Sequence, residues 1–154
     1  VNTTALLLTL SLLVLNGWFV AVEFALIAAR RTKLVQQHAE GSRAAGVGIG
    51  LVDELSTQLA GAQLGVTVAS LLIGYVAEPA VSHAIESALD SIVALPESVV
   101  RAIGFTVGLA IVVLAHMVIG EMVPKNLTLA APERALRLLA IPTRALTTVL
   151  RPVI

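Results

Sequence analysis

The residues best placed to do chemistry stand at the end of an apolar run, in the stretch GEMVPK at positions 120–125. If a helix continues through it, Pro124 has no N–H to give to the carbonyl of Gly120, and its ring crowds that carbonyl. A glycine at 120 leaves the backbone room to adjust. The freed oxygen then lies beside the carboxylate of Glu121. One anionic and one neutral hard oxygen suit Mg²⁺ or Ca²⁺. Irregular backbone at membrane depth is tolerated only against protein or a wet cavity, and an ionisable residue there marks a functional site by default. The plainer alternative is a helix that simply ends, with Glu121 at the interface and Lys125 snorkelling to water.

Other polar residues fall into patterns. Ser56, Gln63, Thr67, Ser70 and Gly74 are spaced by seven, four, three and four residues, which puts them on one helix face. Such a face is either packing glue between membrane helices or a lining that offers hydroxyl oxygens to an ion. Asn16 and Glu23, seven apart, share a face in the first apolar stretch. Asn16 is either an interhelical hydrogen bonder or a ligand. Glu23 and Lys125 are candidates for gating or for charge pairing. His116, four residues before Gly120, either faces the same cavity or satisfies a backbone carbonyl. The sequence offers no nucleophile–base pair and no cysteine, so neither an enzyme nor a thiolate metal site has support. GVGIG at 46–50 lacks the preceding strand of a nucleotide-binding loop and reads as a turn.

These residues need helices to hold them. The chain is 57% hydrophobic and 13% charged, against about 45–50% and 25% in soluble domains. Acidic and basic residues balance at ten each, so no basic excess points to nucleic acid. Residues 5–22 and 56–77 carry no charge, and 102–120 carry none apart from a protonatable His116. Each is close to the roughly 20 residues a span requires. The first lacks the basic leader of a signal peptide and reads as a retained helix. The expectation is an all-α membrane protein, a single transmembrane domain over residues 1–154. Its spans fall at about 5–29, 54–77 and 100–124, with interfacial helices at about 31–46, 79–91 and 132–150. The tail at 132–150, interrupted by Arg and Pro, suits a short helix pair on the interface. SIVALPESV should turn at Pro96. Arg30, Arg31, Lys33 and Arg43 follow the first span, and Lys125, Arg134, Arg137 and Arg144 follow the third, whereas residues 77–101 are mainly acidic. The positive-inside rule then puts the N-terminus outside and the C-terminus in the cytoplasm. The ending RPVI has no polar tail, as expected of a piece of a longer protein.

Three stretches together resemble the CorC/cyclin-M (CNNM) magnesium transporter family. NGWFVAVEFALIAARRTKLVQQHAEG is similar to its first helix and cytoplasmic continuation, QLGVTVASLLIGYVAEP to its second helix, and HMVIGEMVPKNLTLAAPERA to its third. The GExxPK signature stands as Gly120, Glu121, Pro124 and Lys125. The match covers nearly the whole chain in order; such proteins have also carried a hemolysin-like label. The resemblance implies a homodimeric, multi-pass domain in the cell (inner or plasma) membrane. It implies Mg²⁺ export coupled to Na⁺ influx, from an inward-facing cavity lined by side-chain and backbone oxygens. Carried over by position, the metal residues are Glu121, the Gly120 carbonyl, Ser70 where the family often has Asn, its neighbour Thr67, and Asn16, with Pro124 supplying the kink. Many members have serines just before the first-helix Glu; here those positions are Val20, Ala21 and Val22. Fewer hydroxyl ligands remain: either Asn16 or water completes the shell, or this member handles Mg²⁺ differently. The cytosolic CBS domains of full-length members are absent from this chain. Two other readings stay open: a membrane anchor or sensor module for such domains without transport of its own, and transport of another ion such as Co²⁺, Mn²⁺ or Na⁺ alone.

Overall fold

The computed structural model describes residues 3–92 and 95–152, and among these there is no strand. The helices run α1 Thr3–Ala28, α2 Arg31–Ala39, α3 Arg43–Asp53, α4 Leu55–Asp90 and α5 Glu97–Ala115. A π-helical segment, His116–Met122, follows, then α6 Val123–Ala130 and α7 Pro132–Leu150. Helix α1, helix α4 and the continuous rod Glu97–Ala130 are long and apolar enough to cross a membrane. Only about a fifth of each apolar stretch is buried within the chain. The rest, including Leu7, Val14, Leu71, Tyr75 and Leu114, faces outward, as lipid contact requires.

The second span is longer than expected. Residues 79–91 are not a separate interfacial helix but the continuation of α4, which passes through Pro79 without breaking and reaches 36 residues. At 1.5 Å per residue such a helix is ~54 Å long, well beyond a ~30 Å hydrocarbon core. Its continuation is held by α5. A Cβ added at Gly108 would lie 3.0 Å from Ser82 Cα, and one at Gly104 3.2 Å from the Ser82 carbonyl oxygen, so only glycines let the two backbones meet there. The Gly-x-x-x-Gly spacing at 104–108 is the sequence signal for this approach.

The segment expected as one helix over 31–46 is two. Gly41 adopts φ +99° between them, the left-handed conformation that favours glycine at a helix end. Ser42 then caps α3, its Oγ accepting the Ala45 amide at 3.2 Å. GVGIG is no turn; it lies inside α3, where an added Cβ at Gly48 would touch Leu136 at 3.5 Å. The tail is likewise one helix rather than a pair, because Pro142 is accommodated within α7. Pro96 stands at the cap of α5 as the sequence reading has it, with residues 93–94 of that turn outside the described residues.

The interior is layered. At one end Leu13, Ile73, Ala77 and Val112 join α1, α4 and α5. At the other, Val22, Ala25 and Leu26 of α1 pack with Leu34, Leu51, Ala62, Leu136 and Ala140, so that α2, α3 and α7 close around the base of α1. Between the two apolar layers lies a polar one.

Candidate functional site: a polar knot at a broken helix

That layer is centred on Asn16, which is fully buried near the middle of α1. Its Nδ2 donates to the Gly120 carbonyl at 2.9 Å. Its Oδ1 accepts the Ser70 hydroxyl at 3.3 Å. Ser70 Oγ also lies 3.2 Å from His116 Nε2. A serine has one hydroxyl proton; if it goes to Asn16, His116 carries its hydrogen on Nε2 and donates to Ser70 Oγ. The same Nε2 is 3.8 Å from Glu121 Oε1. Three spanning rods thus meet through four side chains and one main-chain oxygen.

The local sequence explains the geometry. Pro124 gives no hydrogen bond to Gly120, and the turn before it widens into π geometry, with the Val123 amide bonded to the Val118 carbonyl. Asn16 supplies the donor that the proline withholds. The close approach depends on two glycines. A Cβ on Gly17 would meet Pro124 Cγ at 3.4 Å, and one on Gly120 would meet His116 Cδ2 at 2.8 Å and Asn16 Nδ2 at 3.1 Å.

The residues singled out in the sequence divide into three groups. Asn16, Ser70, Gly120 and Glu121 come together, and His116 joins them. Thr67 lies one turn from Ser70, but its hydroxyl donates to the Gln63 carbonyl of its own helix at 2.9 Å. Glu23 and Lys125 do not pair with each other. Glu23 Oε1 accepts Gln63 Nε2 at 3.2 Å, joining α1 to α4. Lys125 Nζ sits 4.6 Å from the centre of the Phe24 ring, a cation–π contact that stands in for a counter-ion. Glu121 is about half exposed, with side-chain accessibility of 47%, while Asn16 is sealed at 0%. The knot is therefore open on its carboxylate side and closed on its amide side. Among the described residues no three His, Cys, Asp or Glu side chains converge on a metal position. What the knot offers is one carboxylate among neutral oxygens.

A second polar cluster, given no role by the sequence reading, lies where the spans end. Glu133 is buried at the start of α7 and takes Arg30 Nε at 3.0 Å and Lys33 Nζ at 3.5 Å. Burial pushes its carboxyl upward, but the Arg30 bond, backbone amides and the Lys33 charge outweigh burial and hold it down at about 2. The signal was present as Pro-Glu opening a helix, where a carboxylate is favoured.

Three spanning rods, one broken at a Gly-Glu pair and cross-braced by buried polar side chains, define a multi-pass helical membrane domain of the kind that carries polar sites within the bilayer. Residues 7–154 match the family described as Cyclin M transmembrane N-terminal domain, and the chain belongs to that family. The protein Rv1841c of Mycobacterium tuberculosis is 43% identical over 151 residues, covering 98% of this chain and 42% of that protein. UPF0053 protein YhdT of Bacillus subtilis is 32% identical over 143 residues, covering 93% of this chain and 31% of that protein. UPF0053 protein sll0260 of Synechocystis is 34% identical over 127 residues, covering 79% of this chain and 27% of that protein. The chain thus spans less than half the length of these relatives.

Proposed function

We propose that the chain is the membrane domain of a divalent-cation transporter whose cargo is Mg²⁺, exported by alternating access with Na⁺ influx as the driving reaction. The observation that carries this reading is the Gly120 carbonyl, released from its helix by Pro124 and set beside the half-exposed Glu121. Glu121, the Gly120 carbonyl, Asn16 Oδ1 and Ser70 Oγ form an all-oxygen donor set of low charge, with the Thr67 hydroxyl one turn away. Mg²⁺ wants octahedral oxygen coordination and gives up water reluctantly, so such a set would share the ion with retained waters. Asn16 would serve twice, its amide nitrogen fixing the Gly120 carbonyl and its oxygen facing the ion. Glu23 and Lys125, each already braced by a neighbouring helix, would act on access rather than as ligands.

In this reading Mg²⁺ enters from the cytoplasm, the basic ends of the spans lie inside, and two copies form the working unit beneath cytosolic CBS domains. A carboxylate enclosed in the bilayer without a partner costs at least ~2–3 kcal/mol. A bound dication offsets that cost and favours closure around the loaded site.

The anchor reading has one observation in its favour: Asn16, Ser70, His116 and Gly120 also satisfy one another, as interhelical glue would. Flux separates the two. In proteoliposomes loaded with a Mg²⁺-sensitive dye, the full chain should move Mg²⁺ and Glu121→Ala should abolish the movement while staying folded and dimeric. Absence of flux in the native chain, or equal flux in the variant, would give the anchor reading precedence.

A further inference from the structure

Where α1 and α6 end, Arg30, Lys33, Gln37, Glu133, Arg134 and Arg137 line an open pocket of about 480 Å³. Four cations there face one carboxylate, and Glu133 is already taken by Arg30 and Lys33. Arg134 has no carboxylate partner among the described residues. Arg137 Nε is sealed from solvent with no hydrogen-bond partner, and Gln37 Oε1 is in the same state. A lining with four cations to one carboxylate calls for an anionic oxygen, and guanidinium groups bind phosphate best.

Position decides which phosphate. The pocket is built from residues 30–37 just after the first span and 130–137 just after the third, the depth of lipid headgroups. Along α7, Leu138 lies four residues beyond Arg134 and Ile141 four beyond Arg137, so each apolar side chain shares a face with an arginine. Both are exposed, at 72% and 59%. A soluble phosphate has no use for that apolar strip, whereas an acyl chain would cover it.

We propose that this pocket binds the phosphate of an anionic phospholipid, with its acyl chain along Leu138 and Ile141. Basic pockets at the ends of membrane helices recognise such headgroups through the same chemistry. The site is separate from the knot and stands whether or not the knot carries an ion.

The test uses the full chain in detergent with dioctanoyl phosphatidylglycerol, dioctanoyl phosphatidylcholine or inorganic phosphate added, reading thermal midpoint and bound lipid by native mass spectrometry. Phosphatidylglycerol should raise the midpoint by several degrees and remain bound, and the other two should not. Arg134→Gln combined with Arg137→Gln should weaken phosphatidylglycerol binding at least tenfold. Arg134→Gln alone, at an exposed and unpaired side chain, should weaken it several-fold and carries the test if the double variant fails to fold. Arg151→Gln, outside the pocket, should leave it unchanged. Equal response to the two lipids, unchanged binding in Arg134→Gln, or an equal response to inorganic phosphate would overturn the proposal.

Discussion

Two prolines inside membrane helices have opposite outcomes in this chain. Pro79 lies in an uninterrupted α4, and Pro124 follows a stretch widened into π geometry. Each removes the amide that would bond the carbonyl four residues earlier, Tyr75 in one case and Gly120 in the other. The neighbours differ. Tyr75 is 81% exposed, and among the described residues no side chain donates to its carbonyl. Gly120 is buried, and Asn16 of α1 reaches its oxygen. Ahead of Pro79 nothing pulls the backbone away, and just beyond it Gly104 and Gly108 hold α4 against α5. A proline frees a carbonyl; the helix beside it determines whether the freed carbonyl becomes part of a site.

Four variants are informative, three of them aimed at this contrast. The largest effect is expected at Asn16→Ala. It leaves the Gly120 carbonyl buried without its donor, at a cost of about 2–3 kcal/mol. Mg²⁺ binding should be lost with it, as calorimetry and thermal unfolding of the same preparation would reveal; unchanged binding would remove Asn16 from the site. Next comes Pro124→Ala, which restores an amide able to compete with Asn16 for Gly120. The helix should straighten, and Mg²⁺ affinity should fall by about tenfold, equivalent to ~1.4 kcal/mol, with little loss of stability.

Glu133→Gln tests a region remote from both prolines. The Glu133 carboxyl sits at about 2 when folded, below the ordinary 4.5, so the unfolded chain binds the extra proton between those values. Stability from this group is complete above about pH 4.5 and is lost as pH falls toward 2. Thermal midpoints between pH 5 and pH 3 should fall less steeply in Glu133→Gln than in the native chain, while Mg²⁺ binding at neutral pH stays within twofold. The smallest effect is expected at Pro79→Ala: no change in Mg²⁺ binding and a stability gain of up to ~1 kcal/mol from the restored helix. A binding change there would contradict the contrast between the two prolines.

Much of this was legible in the residues. Uncharged apolar stretches marked the three spans, and GEMVPK marked the break, because hydropathy and proline chemistry act locally. The two ends of the middle helix were not equally readable. Its polar stripe announced Ser70, but continuation past Pro79 depends on a close approach by α5 that no local signal states. The division of 31–46 is written as Glu-Gly-Ser, a helix-ending glycine followed by a capping serine, a signal shorter than the amphipathic pattern that joins the two helices. Glu23 and Lys125 read as candidates for gating or charge pairing; their partners, Gln63 and Phe24, are tertiary choices invisible to spacing. The first-helix positions Val20, Ala21 and Val22 conceal no replacement ligand: Val20 and Val22 are buried in packing, and Asn16, a turn earlier, makes the buried polar contact.

The most direct test of the central claim is Mg²⁺ binding to the purified chain by calorimetry, native against Glu121→Ala, with folding and dimerisation followed alongside. The native protein should give a saturable binding heat that disappears in a variant still folded. Equal heats in both, or none in either, would contradict it and leave the Gly120 break as a structural joint between helices.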